Sequence, residues 1–463
     1  MASIIKRGKN ISVVYMYRDS DGSTKQRWDK CESMKEAKKR KAQVEFQLSE
    51  GTFLPPSIMT VRDLLYDFVD VVGSRKWSVS TYGAKVGLIE NYIAPHIGKM
   101  SLSETTPRVM DAFYKKLEKT KAVIRTHHRD EGTLVSAKNI QEIHKIMKCA
   151  FDHAITYDLI GKNPVEKATL PHHEPVKRAI WTIDVLRKAS EVCDDLNLEV
   201  CMELSFACSM RLGEIVGLQW DRLEISDESI ATDNASLFID RTLQRVSKQA
   251  MEQINRRGIL FEFPPIMAAT KTALVLKKPK TVMSVRRVWI PTSLARKLRQ
   301  LKFEQDEYKR TLGELYYDFN LVIALPNGRP CDIKVIDIAF VKLIKMHDLP
   351  RVVFHSLRHS STTYKLKMNN GDMKAVQGDT GHAQLQMIAD VYSHILDEDR
   401  RQNAMMMENA FYQNQNDGKN SAKRQDVSEQ DIAAYLQGNP EIAQNLMTAL
   451  LSALPISRFA RPE

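Results

Sequence analysis

The chain has 463 residues, of which 43% are hydrophobic and 27% charged, a length too great for one hydrophobic core and suited to two to four domains. Lys and Arg outnumber Asp and Glu by 68 to 57, so the net charge is +11 and a polyanion is the first partner to weigh against a merely solubilising basic surface. The six cysteines are scattered without a CxxC pair, giving no sign of a zinc ribbon or a disulfide framework. No run approaches the ~18 apolar residues of a membrane span, and charge interrupts the opening MASIIKRGKN before a signal sequence forms, so a cytoplasmic protein is expected.

ISVVYMY at 11–17 is rich in β-branched and aromatic residues, RDSDGS supplies turn chemistry, and TKQRW reads as the return strand of a hairpin. SMKEAKKRKAQVEFQLSEG follows, with Ser33 and Glu36 as a capping box and Gly51 as a stop. This predicts a basic helix carrying Lys35, Lys38, Lys39, Arg40 and Lys41, either a DNA-binding face or a solvated one. FLPPS at 53–57 reads as a linker. TVRDLLYDFVDVV then opens on a Thr60/Asp63 box with Leu64, Leu65, Phe68, Val71 and Val72 on one face, and further helices are predicted near 80–94, 107–119 and 136–157.

From 182 the pattern becomes mixed, with helices near 183–192, 197–208 and 212–218, strand-like SLFIDRTLQ and RRVWIP, and helices again after 292. Residues 246–273 read as an irregular polar excursion between strands. DEDRRQNAMMMENAFY is predicted helical, with Met405, Met406 and Met407 offering a pliable surface to a neighbouring subunit or to the protein's own packing. QNQNDGKNSAKRQD is a flexible linker. It leads to NPEIAQNLMTALLSAL, where Asn439 caps, Pro440 starts the helix, and Ile442, Leu446 and Leu450 share a face.

The chemistry concentrates around FHSLRHSSTTY at 354–364. His355 and His359 are at a spacing that can chelate zinc, yet no HExxH glutamate or third ligand accompanies them. A histidine beside an arginine also suits a phosphate, because the guanidinium grips two oxygens at once, while many helix ends carry both residues for ordinary reasons. Compatible groups flank this stretch: Arg211 with Glu214 in MRLGEIVGL, Lys280 in KKPKTVMSVRRVWIP, then His382 in TGH and Tyr392 in YSH. Singly, each has a bland reading as an ion pair, a turn residue, a helix cap or a core aromatic.

Taken in order, Arg, Lys, His-x-x-Arg, Gly-His and Tyr resemble the motif series of the tyrosine recombinase, or phage integrase, family. The resemblance puts Arg211 and Arg358 in the place of the family's two catalytic arginines, with Glu214 as the accompanying acid. Lys280 matches the hairpin lysine, His355 and His382 the two histidines, and Tyr392 the nucleophile. Lys271, Lys277 and Lys278 compete with Lys280, but Ser284 and Arg286 keep the family spacing from Lys280. Tyr364 is a decoy nucleophile, and Thr380 departs from the apolar residue usual before Gly-His.

The resemblance implies a multidomain, mainly α chain with small β-sheets. It comprises a ββ(β)α arm-type DNA-binding domain at 1–53, a helical core-site-binding domain at 58–172, a mixed α+β catalytic domain at 176–412, and a linker with an amphipathic helix at 413–463. It also implies integration and excision of a mobile element through a 3′-phosphotyrosyl intermediate, with no cofactor and no metal. The expected partners are double-stranded DNA recombination sites, further copies in a tetramer, and an excisionase or DNA-bending protein, in the cytoplasm and on the nucleoid of a bacterial host. A type IB-like topoisomerase and a catalytically silent DNA-binding regulator are the competing readings.

Overall fold

The computed structural model describes residues 2–8, 10–18, 24–49, 59–123, 132–172, 179–267, 269–369, 371–381 and 397–408, with single helical residues at 437, 440 and 444. The chain divides into two units, 1–392 and 393–463. The described chain is mainly helical with three small antiparallel sheets.

Three strands, β1 (Ala2–Arg7), β2 (Asn10–Arg18) and β3 (Thr24–Cys31), form a meander in the order 1-2-3. The optional third strand is thus β1, whose Ala2 pairs with Tyr15. Period-two alternation turns Val13 and Tyr15 inward, where they pack with Ala37 and Val44 of helix α1 (Met34–Ser49). Ser33 accepts from the Glu36 N–H, but the Glu36 carboxylate reaches the N–H of Glu32 at 2.8 Å. Arg40 pairs with Asp29 at 2.9 Å inside a network that includes Arg27 and Tyr15, and Lys41 lies 3.8 Å from Glu45. Lys35, Lys38 and Lys39 remain exposed.

The next layer contains α2 (Val61–Phe68), α3 (Ser74–Lys76), α4 (Val79–Leu88), α5 (Ala94–Ile97), α6 (Pro107–Leu117) and α7 (Ala137–Thr156). Thr60 and Asp63 form the expected reciprocal cap. A π-helical turn at Val69–Gly73 adds a residue to the helical repeat and rotates the apolar stripe, so Val69 is buried whereas Val71 is only partly covered.

The mixed region contains α8 (Ile183–Glu191), α9 (Leu196–Ala207), α10 (Leu212–Val216), α11 (Asp227–Ala231), α12 (Lys248–Gln253), α13 (Thr292–Leu312), α14 (Ile333–Met346), α15 (His355–Met368) and α16 (Met373–Thr380). Its strands β4 (Leu223–Glu224), β5 (Ser236–Ile239) and β9 (Arg286–Trp289) form one sheet, and β6 (Thr242–Ser247), β8 (Thr272–Lys277) and β7 (Ile259–Glu262) form another, each in the order given. SLFIDRTLQ is therefore two strands in two sheets. The chain breaks at Asp240–Arg241, where the Arg241 guanidinium folds back onto the Asp240 carboxylate.

The described residues of the 246–273 excursion, all but 268, include strands and a helix, so the stretch is not irregular throughout. Val246, Ala250, Met251, Ile254, Ala273 and Val275 are buried in one core with Val79, Ile89 and Ile143 of the helical layer. Its apolar residues escape a pattern search because α12 is only six residues long and buries one side. In the second unit, α17 (Asp397–Met407) exposes Met405, Met406 and Met407. The flexible linker, most of the final helix, and the FLPPS linker lie outside the described residues.

Candidate active site

Four elements converge on the expected arginine cluster: the turn from α9 to α10, the turn before β9, the start of α15 and the end of α16. The first is built by close backbone approach. A Cβ on Gly213 would lie 2.7 Å from the Thr242 hydroxyl oxygen, and one on Gly217 would lie 2.6 Å from the Leu243 backbone nitrogen. Glycines four residues apart thus let α10 lie directly on β6, which fixes Arg211 at the N-terminus of α10.

Glu214 is the hub of the cluster. It is 5% exposed, and its Oε1 accepts from Arg211 Nη1 at 2.8 Å while Oε2 accepts from the Arg211 backbone N–H at 3.1 Å. The same Oε2 accepts from Arg286 Nη2 at 3.0 Å. Burial pushes the Glu214 carboxyl upward, but Arg286 and Arg211 outweigh it and hold its pKa below the ordinary value.

Arg358 is 1% exposed, one turn into α15. Its guanidinium donates to the backbone carbonyls of Ser209 and Thr380. Ser209 has φ of 51°, a left-handed conformation uncommon outside glycine, and its hydroxyl shares a hydrogen bond of 2.6 Å with Ser361 on α15. Burial and the nearby Arg211 and Arg286 lower the Arg358 pKa to about 9, against the opposing pull of Glu214.

His355 is exposed at the first position of α15, with its ring 4.8 Å from that of His359 and nearly perpendicular to it. Lys280 is exposed in the turn after β8; the turn is braced by Thr281 and Ser284, whose hydroxyls lie 2.9 Å apart. Lys271 sits at the opposite end of β8, about 20 Å away at the usual strand rise. Lys277 is half-buried, its pKa lowered by burial and by Lys280. Tyr364 packs its ring against Phe206, about two and a half turns along α15 from His355.

The departure at Thr380 has a physical account. The residue is fully buried, and its hydroxyl donates to the Val376 carbonyl at 2.9 Å, so its polar atom is satisfied within α16. Gly381 adopts φ of 60°, and a Cβ there would stand 2.9 Å from the Met283 carbonyl oxygen. His382 and Tyr392 lie outside the described residues. Among the described residues, no group of three or more His, Cys, Asp or Glu could hold a metal ion, and no helix is long and apolar enough to cross a membrane.

The structure therefore brings Arg211, Glu214 and Arg358 together and adds Arg286, which the sequence marked only by its spacing. No family model matches the chain. It is 23% identical over 404 residues to a tyrosine recombinase XerC-like protein of Caldanaerobacter subterraneus subsp. tengcongensis, covering 85% of this chain and 94% of that one. It is 20% identical over 310 residues to the ICEBs1 integrase of Bacillus subtilis, covering 66% of this chain and 72% of that one. Among solved structures, the Tn1549 transposon integrase in complex with transposon right end DNA is 17% identical and superposes with a TM-score of 0.56, covering 76% of this chain and 99% of that one.

In motif order and sequence the chain is similar to tyrosine recombinases, and its fold is that of the solved integrase. More particularly, it is similar to integrases, among them that of a transposon.

Proposed function

We propose that the chain is the integrase of a mobile element, a site-specific recombinase that cuts and rejoins DNA through a 3′-phosphotyrosyl intermediate. The observation that carries this reading is the cluster of Arg211, Arg286 and Arg358 near the single buried carboxylate of Glu214, which leaves an excess of positive charge in the site. Such a cluster gains from an anion, and a scissile phosphodiester supplies one with two non-bridging oxygens for bidentate guanidinium contact.

In this mechanism Arg211 and Arg358 hold the phosphate, with His382 as a further donor. Tyr392 attacks phosphorus through its phenolic oxygen as His355 takes the phenolic proton. The bond from phosphorus to the 5′-oxygen breaks, and Lys280 protonates the departing oxygen. Attack by a 5′-hydroxyl of another strand then displaces the tyrosine and reseals the DNA. The phosphotyrosyl bond conserves the energy of the bond it replaced, so no ATP is needed.

Residues 1–53, with Lys35, Lys38 and Lys39 exposed, would bind arm-type sites, residues 58–172 the core site, and residues 176–412 would carry the chemistry. Recombination further calls for a tetramer on DNA and for an excisionase or DNA-bending protein in the reverse direction, all in the bacterial cytoplasm. The similarities to integrases favour this reading over a type IB-like topoisomerase or a silent regulator. Strand exchange between two DNA ends of the element tests it: joined products are expected, whereas relaxation of any supercoiled plasmid without joining would support the topoisomerase.

A further inference from the structure

The geometry points to Arg286 as a positioning residue that locks three parts of the site into one register; this rests on the recombinase reading above. Arg286 is 8% exposed, and each of its nitrogens has an acceptor on a different segment. Nη2 donates to Glu214 Oε2 at 3.0 Å, Nε to the Asp379 carbonyl at 2.9 Å, and Nη1 to the Ser284 carbonyl at 3.0 Å. Glu214 carries Arg211, Ser284 closes the turn that presents Lys280, and Asp379 is the penultimate residue of α16, three before His382 in sequence.

Arg358 binds the next carbonyl along, that of Thr380, so two guanidiniums grip consecutive peptide units. Gly381 completes the fit, since a Cβ there would lie 3.0 Å from Arg286 Nη1. A planar fork with five donors can satisfy three acceptors in fixed directions, whereas a lysine ammonium at this site would keep the charge without that geometry. Through these three bonds Arg286 acts by way of Arg211, Lys280 and the segment leading to His382.

The test compares wild type, Arg286→Met and Arg286→Lys in the full chain on a nicked DNA carrying an element end, measuring binding and single-turnover formation of the covalent adduct separately. For Arg286→Met the expected result is adduct formation slowed about 10²-fold, as for a displacement of about 1 Å at a reacting centre, with binding within about threefold of wild type. Arg286→Lys should recover about tenfold of that loss. Arg286→Met that forms adduct at the wild-type rate, or that loses binding and rate in proportion, overturns the inference. If Arg286→Met does not fold, Arg286→Lys decides, and a wild-type rate in that variant overturns it. Wild-type protein that forms no adduct instead removes the recombinase reading and the inference with it.

Discussion

Replacing Glu214 with Gln should cost the protein far more than a surface substitution would. The carboxylate is 5% exposed and lies between Arg211 and Arg286, with contacts of 2.8 and 3.0 Å. Gln is nearly isosteric, yet it removes the charge and sets an amide N–H₂ donor against at least one guanidinium donor. Breaking a buried ion pair by removing one partner typically costs about 3–5 kcal/mol, because the remaining charge stays buried without its counter-ion. For a folding unit spanning 1–392, that corresponds to a fall of roughly 4–6 °C in the melting temperature.

The sign of the pH dependence follows from the direction of the Glu214 shift. The folded-state pKa lies below the ordinary value of 4.5, so the stabilisation is fully present above that value and is lost as pH falls through the folded pKa. The gap between wild type and Glu214→Gln should therefore be constant near neutral pH and close on acidification below 4.5. Thermal or urea melts across that range read it directly. A loss under about 1 kcal/mol at neutral pH, or a gap that widens in acid, would refute the reasoning.

Gly217→Ala should destabilise by about 1–3 kcal/mol in a urea melt, because its Cβ would meet the backbone nitrogen of Leu243 at 2.6 Å and neither backbone can yield cheaply. Met251→Ala should cost about 2–5 kcal/mol and, because Met251 shares its core with the helical layer, should raise hydrogen exchange in Ile89 and Ile143 as well as in the 246–273 excursion. Exchange confined to the excursion would show that the shared core is not cooperative.

The candidate series was legible as a pattern because it is carried by short motifs whose order survives any local irregularity. MRLGEIVGL could be read from sequence, and Gly213 and Gly217 now have a reason in the approach of α10 to β6. The long helices were equally legible from their caps and apolar spacing, as at Thr60 and Asp63. What escaped depends on long-range contact. Nothing in the alternation of SLFIDRTLQ announces that the chain changes sheets at Asp240, and the six-residue α12 is too short to show a period. The partner of Arg40 is the half-buried Asp29 in a neighbouring strand, so the residue reads as a solvated base until the sheet is folded. Arg286 served only as a spacing mark because its three acceptors, Glu214, Ser284 and Asp379, spread over more than 160 residues of sequence.

A covalent bond between DNA and one tyrosine is the defining event of the proposed reaction. Nicked DNA from the ends of the element, incubated with the protein in EDTA, should give a denaturation-resistant adduct whose modified peptide contains Tyr392 and which vanishes in Tyr392→Phe. Strong binding without an adduct would mark a silent DNA-binding protein, and an adduct on Tyr364 would contradict the assignment of the nucleophile.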